Sequence, residues 1–125
     1  MYDLESWQKK WAYNKYWIMA HSQQAYNDIR QLAKNNDWST DKEQAFDKII
    51  ASTELIEPTK QTLTTAYQHV WGYFKKICTA DEKKTYLILL TKLTLENDGL
   101  GPFLKLLAIK YKVTYLLNSR LINEP

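Results

Sequence analysis

The chain is poor in the residues that break, staple or anchor structure. Its 125 residues hold one cysteine, three glycines, three prolines and two histidines. A lone thiol, Cys78, excludes an internal disulfide and fits a reducing compartment, so a cytoplasmic protein is expected. The near absence of glycine and proline, with no sustained polar/apolar alternation, leaves little room for a sheet. No apolar run approaches the ~20 residues of a membrane span, and "MYDLESWQKK" lacks the order of a signal peptide, so no membrane partner is expected. His21 and His69 have no His or Cys at ligand spacing, so no metal site and no cofactor are expected. Gly-x-Ser-x-Gly, a glycine-rich phosphate loop and His-Glu-x-x-His are all missing, and the carboxylates are scattered along helix faces. No catalytic residue is therefore assigned.

What is present is aromatic and unevenly basic. Five Trp and nine Tyr occur in this short chain. Indole N–H and phenol O–H groups want partners, so several of these rings are expected half in the core and half in a groove. Residues 1–62 carry eight basic and nine acidic side chains, and residues 63–125 carry nine and five. An acidic ligand, with a polyanion as first candidate, would be drawn to the second half; the alternative is a solvated lysine-rich surface.

The hydrophobic spacing predicts an all-α, compact single domain of about six helices spanning residues 1–125. A first helix over 4–20 carries Leu4, Trp7, Trp11 and Ile18, with a second stripe of Tyr13, Tyr16, Trp17 and Ala20, and so should be buried on more than one side. Ser22 caps a second helix, 23–35, which ends in "KNNDW". Thr40-Asp41-Lys42-Glu43 has the form of a capping box opening a third helix to Ile56, and Pro58 stops it and starts the next. Leu63, Ala66 or Tyr67, Val70, Phe74 and Ile77 form the inward stripe of the fourth. Thr79-Ala80-Asp81-Glu82 is a second capping box, before a helix with Tyr86, Leu89, Leu90 and Leu93 inward. Gly99 is expected as its left-handed cap. After Gly101 and Pro102 a last helix would turn Phe103, Leu106, Leu107, Lys110, Val113 or Thr114 and Leu117 inward.

The stretch "QHVWGYFKK" at 68–76 divides by helical spacing. Val70 and Phe74 belong to the core, while His69, Gly72, Tyr73 and Lys76 share another face. A glycine inside a helix costs about 1 kcal/mol against alanine, so Gly72 implies either a closely packed neighbouring helix or an approaching ligand. His21 either caps carbonyls at a helix end or hydrogen-bonds a polar ligand. Lys75, Lys76, Lys83 and Lys84 bracket one turn, and Lys105, Lys110, Lys112 and Arg120 run down the last helix. Converging with Lys9, Lys10 and Lys15, they would track phosphates, with tyrosine and tryptophan rings stacking on unpaired bases.

Three blocks, "NKYWIMAHSQQAYNDIRQLA" at 14–33, "QHVWGYFKKICTADEKK" at 68–84 and "YLLNSRLINEP" at 115–125, together resemble the YbgA-like domain, a family of unknown function. Such domains occur alone or fused behind a desulfidase domain of the thiouracil desulfurase type. The resemblance implies recognition of RNA, in particular transfer RNA bearing thiolated uridine, with the iron–sulfur chemistry carried by a separate desulfidase. Lys15, His21, His69, Tyr73, Lys75, Lys76 and Arg120 are the expected RNA contacts. Two other readings stay open: a protein-interaction domain that docks on the desulfidase or forms a homodimer, and a small-molecule enzyme using His21 and His69 in one cavity.

Overall fold

The computed structural model describes residues 4–123, without the side chains of residues 4, 5 and 36. Helix is its only regular secondary structure among the described residues. In chain order the helices are α1 (Leu4–His21), α2 (Gln23–Leu32), α3 (Thr40–Glu54), α4 (Lys60–Trp71), α5 (Ala80–Lys92), α6 (Leu100–Lys110), α7 (Thr114–Leu117) and α8 (Arg120–Asn123). α1 is the axle: it packs most extensively on α4, and also against α2, α3 and α8. Tyr16, Trp17, Ile18, Met19 and Ala20 are buried in succession, which requires cover on every side of the helix. On the other side α4 contributes Leu63, Ala66, Tyr67, Val70 and Trp71. Phe74 continues that stripe and is fully buried, and α6 closes the core with Leu100, Leu104, Leu107 and Ala108.

Side-chain oxygens start the helices much as expected. Ser22 accepts from the Ala25 N–H, and Thr79 and Glu82 form a reciprocal box that satisfies two of the orphan donors of α5. The third helix departs from expectation. Its cap is Ser39, which accepts from Lys42 N–H at 3.2 Å, and Glu43 is drawn away to Trp38 Nε1 (3.0 Å) and Lys10 Nζ (2.8 Å). A buried indole and an ammonium outbid a backbone N–H at an exposed helix end. Pro58 precedes the next helix instead of opening it; the cap is Thr59, boxed with Thr62.

The other departures have physical causes too. Gly99 is not left-handed (φ −86°) but sits just before α6, and Asp98 Oδ1 accepts from Gly101 N–H at 2.9 Å. Leu106 is 65% exposed and Ile77 52%, whereas Leu104 is fully buried. "LKLLAI" is apolar on all sides, so periodicity does not choose its face. The last expected helix is broken into three, because Lys112 adopts a left-handed conformation (φ 54°) after α6. No helix among the described residues is long and apolar enough to cross a membrane.

Candidate nucleic-acid interface

α4 ends at Trp71, and the chain runs through Gly72 to Ile77 in tight turns closed by bonds such as Tyr73 N–H to Val70 O (3.1 Å) and Phe74 N–H to Trp71 O (2.8 Å). Gly72 is therefore a helix terminus and lies exposed. A methyl group there would meet only the carbonyl of His69, at 3.0 Å, so no neighbouring helix requires the glycine. The turn aims Tyr73 back across α1. Its hydroxyl lies 3.2 Å from that of Tyr16, the two rings meet edge to face, and its ring stacks on Tyr115 of α7 at 5.9 Å. Tyr16 is buried, while Tyr73 and Tyr115 remain 38% and 37% exposed. Burial first, then the hydroxyl of Tyr73, pushes the Tyr16 phenol well above its ordinary range, and burial does the same for Tyr115. Both stay neutral O–H groups.

Lys15 reaches the edge of this cluster, with Nζ 5.8 Å from the Tyr16 centroid. Burial, and then the charge of Arg30 on α2, holds its pKa below the ordinary lysine value, and no described carboxylate pairs with it. Arg30 itself lies 5.8 Å over the ring of Tyr26. Beside the cluster Lys75 and Lys76 are exposed, as are Lys83 and Lys84 beyond the turn, and none forms an ion pair with a described residue.

The remaining expected contacts lie elsewhere. Arg120 packs its guanidinium on the Trp17 ring at 3.7 Å, donates to Asn14 Oδ1 at 3.1 Å and approaches Glu54 at 3.7 Å. His21 lies against the same Trp17, the rings tilted with centroids 4.3 Å apart, and donates from Nδ1 to the carbonyl of Ile56 at 2.7 Å. The ring thus caps a carbonyl, though one beyond α3 instead of one in its own helix. It lines a cavity of about 250 Å³ with Glu57, Tyr67 and Asp98, and His69 is not part of that wall. His69 is exposed and donates to Thr65 O of its own helix at 2.9 Å.

Other lysines are also spoken for. Lys10 is held by Glu43 and Asp47; burial opposes its charge, but those two partners outweigh it and raise the pKa. Lys110 binds Glu82 at 2.7 Å. The basic surface is thus narrower than the sequence suggested: Lys15 and Tyr73 each meet the Tyr16 ring, and Lys75 and Lys76, exposed, directly follow Tyr73 in the chain. Tyr16, Tyr26, Tyr115 and Arg30, which complete the cluster, were not singled out in the sequence. They come from α1, α2 and α7; Tyr16 appeared in the sequence only as part of an apolar stripe, the aromatic excess was the only hint at a site role for the tyrosines, and nothing pointed to Arg30.

Among the described residues no group of three or more His, Cys, Asp or Glu side chains could hold a metal ion. No curated protein and no solved structure matches the chain. Residues 15–125 match the family described as "Protein of unknown function (DUF1722)", with which the YbgA-like resemblance is consistent, and the chain belongs to that family.

Proposed function

We propose that the domain is a non-catalytic RNA-binding module of the cytoplasm. One observation carries the reading: Lys75 and Lys76, exposed and without a carboxylate partner among the described residues, directly follow Tyr73 of a tyrosine cluster in which two rings are partly open, and Lys83 and Lys84, at the start of α5, are exposed and equally unpaired among those residues. Unpaired lysines meet phosphates at low cost because no ion pair must first be broken. Tyr73 and Tyr115 supply stacking, which tolerates any base. Lys15 adds charge at the far side of the rings. His69, with its Nδ1 donating to the helix, offers Nε2 to a sugar or base edge, and His21 and Arg120 hold the end of α1 in place. The resemblance to YbgA-like domains directs the choice of RNA to transfer RNA with thiolated uridine, and the chemistry to a separate iron–sulfur desulfidase.

The test is transfer RNA binding by Lys75→Glu with Lys76→Glu, measured at several salt concentrations. Affinity should fall at least tenfold at low salt, and the slope of log affinity against log salt should flatten. Unchanged affinity sinks the reading.

A second reading, docking on the desulfidase or on another copy, is favoured by the outer face of α5. There Leu87 and Ile88 are 49% and 45% exposed and stand in one helical stripe between Lys84 and Lys92. It predicts association that survives high salt, checked by sedimentation with and without RNA. The enzyme reading required both histidines in one cavity, and His69 does not line the wall that holds His21.

A further inference from the structure

α5 and α6 each carry a second apolar face, opposite the one they bury. On α5, Tyr86 and Leu93 turn into the core, while Leu87 and Ile88 stand exposed on the far side. On α6, Leu100, Leu104, Leu107 and Ala108 are buried, while Leu106 and Ile109 are 65% and 54% exposed. The two helices are antiparallel neighbours: Glu82 in the first turn of α5 meets Lys110 and Tyr111 at the end of α6, and Leu89 lies beside Gly99 at its start. Lysines border both apolar faces. Lys84, Lys92, Lys105 and Lys112 are exposed and form no ion pair with a described residue. Carboxylates stay at the helix ends, since residues 83–95 and 99–123 contain none.

A helix that is apolar on two sides calls for cover on both, and charge narrows what the outer cover can be. A second copy fits poorly, because an antiparallel pair of α5 helices centred on Ile88 sets Lys84 against Lys92. RNA answers the lysines but not the leucines and isoleucines, which offer no ring to stack. A partner helix wants a groove, and the hollow on α5 has that helix alone for a wall, lined by Lys84, Leu87, Ile88, Thr91 and Lys92. An anionic bilayer answers both features. Aliphatic side chains enter the boundary between headgroups and acyl chains, and lysine ammoniums reach lipid phosphates while their stems lie along the apolar surface. We propose that α5 and α6 form a docking surface for a bilayer rich in anionic phospholipid, on which the domain lies without crossing it. The expectation of no membrane partner rested on the lack of a span, and lying on a surface needs none. The inference goes beyond the RNA reading, which rests on Lys75 and Lys76, and gives to lipid the face of α5 that the docking reading gives to a protein.

The experiment is co-sedimentation of the whole chain with vesicles of phosphatidylcholine alone, or with roughly one-third phosphatidylglycerol added to supply anionic charge, at low and high salt. Binding should be at least tenfold tighter to the mixed vesicles and should weaken as salt screens the lysines. Leu87→Asp with Ile88→Asp, and separately Leu106→Asp with Ile109→Asp, should each weaken it at least tenfold, with melts showing both variants folded and without loss of any transfer RNA binding. Lys75→Glu with Lys76→Glu should leave vesicle binding in place, so that failure here and failure of the RNA reading are told apart. No binding to the mixed vesicles, equal binding to both kinds, or binding unmoved by either aspartate pair overturns the proposal. A chain that ignores vesicles but sediments as a dimer broken by the same substitutions also overturns it, and assigns the face to a second copy.

Discussion

The two lysines of α1 lie in opposite surroundings. Lys10 is gripped by Glu43 and Asp47, and Glu43 also accepts from Trp38, so donor and acceptor numbers match. Lys15, further along the same helix, faces Arg30 and a wall of rings with nothing acidic in reach among the described residues. The contrast extends across the molecule. At the α5–α6 side Glu82 collects Thr79 N–H, Lys110 Nζ and Tyr111 O–H, and Asp98 collects Tyr67 O–H and Gly101 N–H. One region closes its polar groups on itself and stabilises the fold; the other leaves donors unanswered and so has something to offer a ligand.

The largest effect is expected from breaking a closed cluster. An alanine at position 101 would place its Cβ 2.6 Å from the Tyr67 hydroxyl, and Tyr67 is buried and committed to Asp98. Gly101→Ala should destabilise by about 1–3 kcal/mol in urea denaturation, the usual range for overpacking. A change within a few tenths would mean that the Tyr67 and Asp98 pair yields easily, and that the region is not as closed as described.

The comparison is sharpest with one substitution at two positions. Lys10→Met should destabilise by roughly 1 kcal/mol, since it strands two carboxylates and removes a charged hydrogen bond. Lys15→Met should be neutral or raise stability by roughly a few tenths of a kcal/mol, because a half-buried ammonium with no carboxylate partner among the described residues is relieved. Thermal melts of both variants decide it; loss of the same sign and size would erase the distinction between the two regions.

The smallest effect concerns pH. Lys110 first, then Tyr111 and the Thr79 N–H, holds the Glu82 carboxyl down to about 2 from an ordinary 4.5. A carboxylate with a depressed folded-state pKa favours the fold fully above its unfolded value, and that contribution drains away as pH falls. Stability should therefore decline between about pH 4.5 and about pH 2, and Glu82→Gln should flatten that part of the profile in acid titrations followed by circular dichroism.

Sequence alone resolved the features that local chemistry determines. Ser22 and the Thr79/Glu82 box were readable because a cap needs only residues three positions apart. The face of α1 was readable because two apolar stripes can only mean burial on several sides. Where tertiary demand competes with local rule, the reading failed. Glu43 left its capping role for Trp38 and Lys10, and Lys112 took a left-handed turn with no glycine or asparagine to announce it. The site was legible only in pieces, since Lys15 and Tyr73 could be named, but how Tyr115 and Arg30 come to the same cluster depends on how α1, α2 and α7 cross beside the turn after α4.

The bond from Arg120 to Asn14 joins positions 106 residues apart, and it seals Trp17 under the guanidinium. Of the helix pairs that pack together, α8 on α1 closes the longest stretch of chain, longer than α4 on α1. Loop entropy opposes the longest closure most, so α8 docking on α1 should be among the last events of folding. Until it occurs, α1 keeps a tryptophan-bearing face uncovered, and that interval is when a chaperone or a misplaced copy would find the chain.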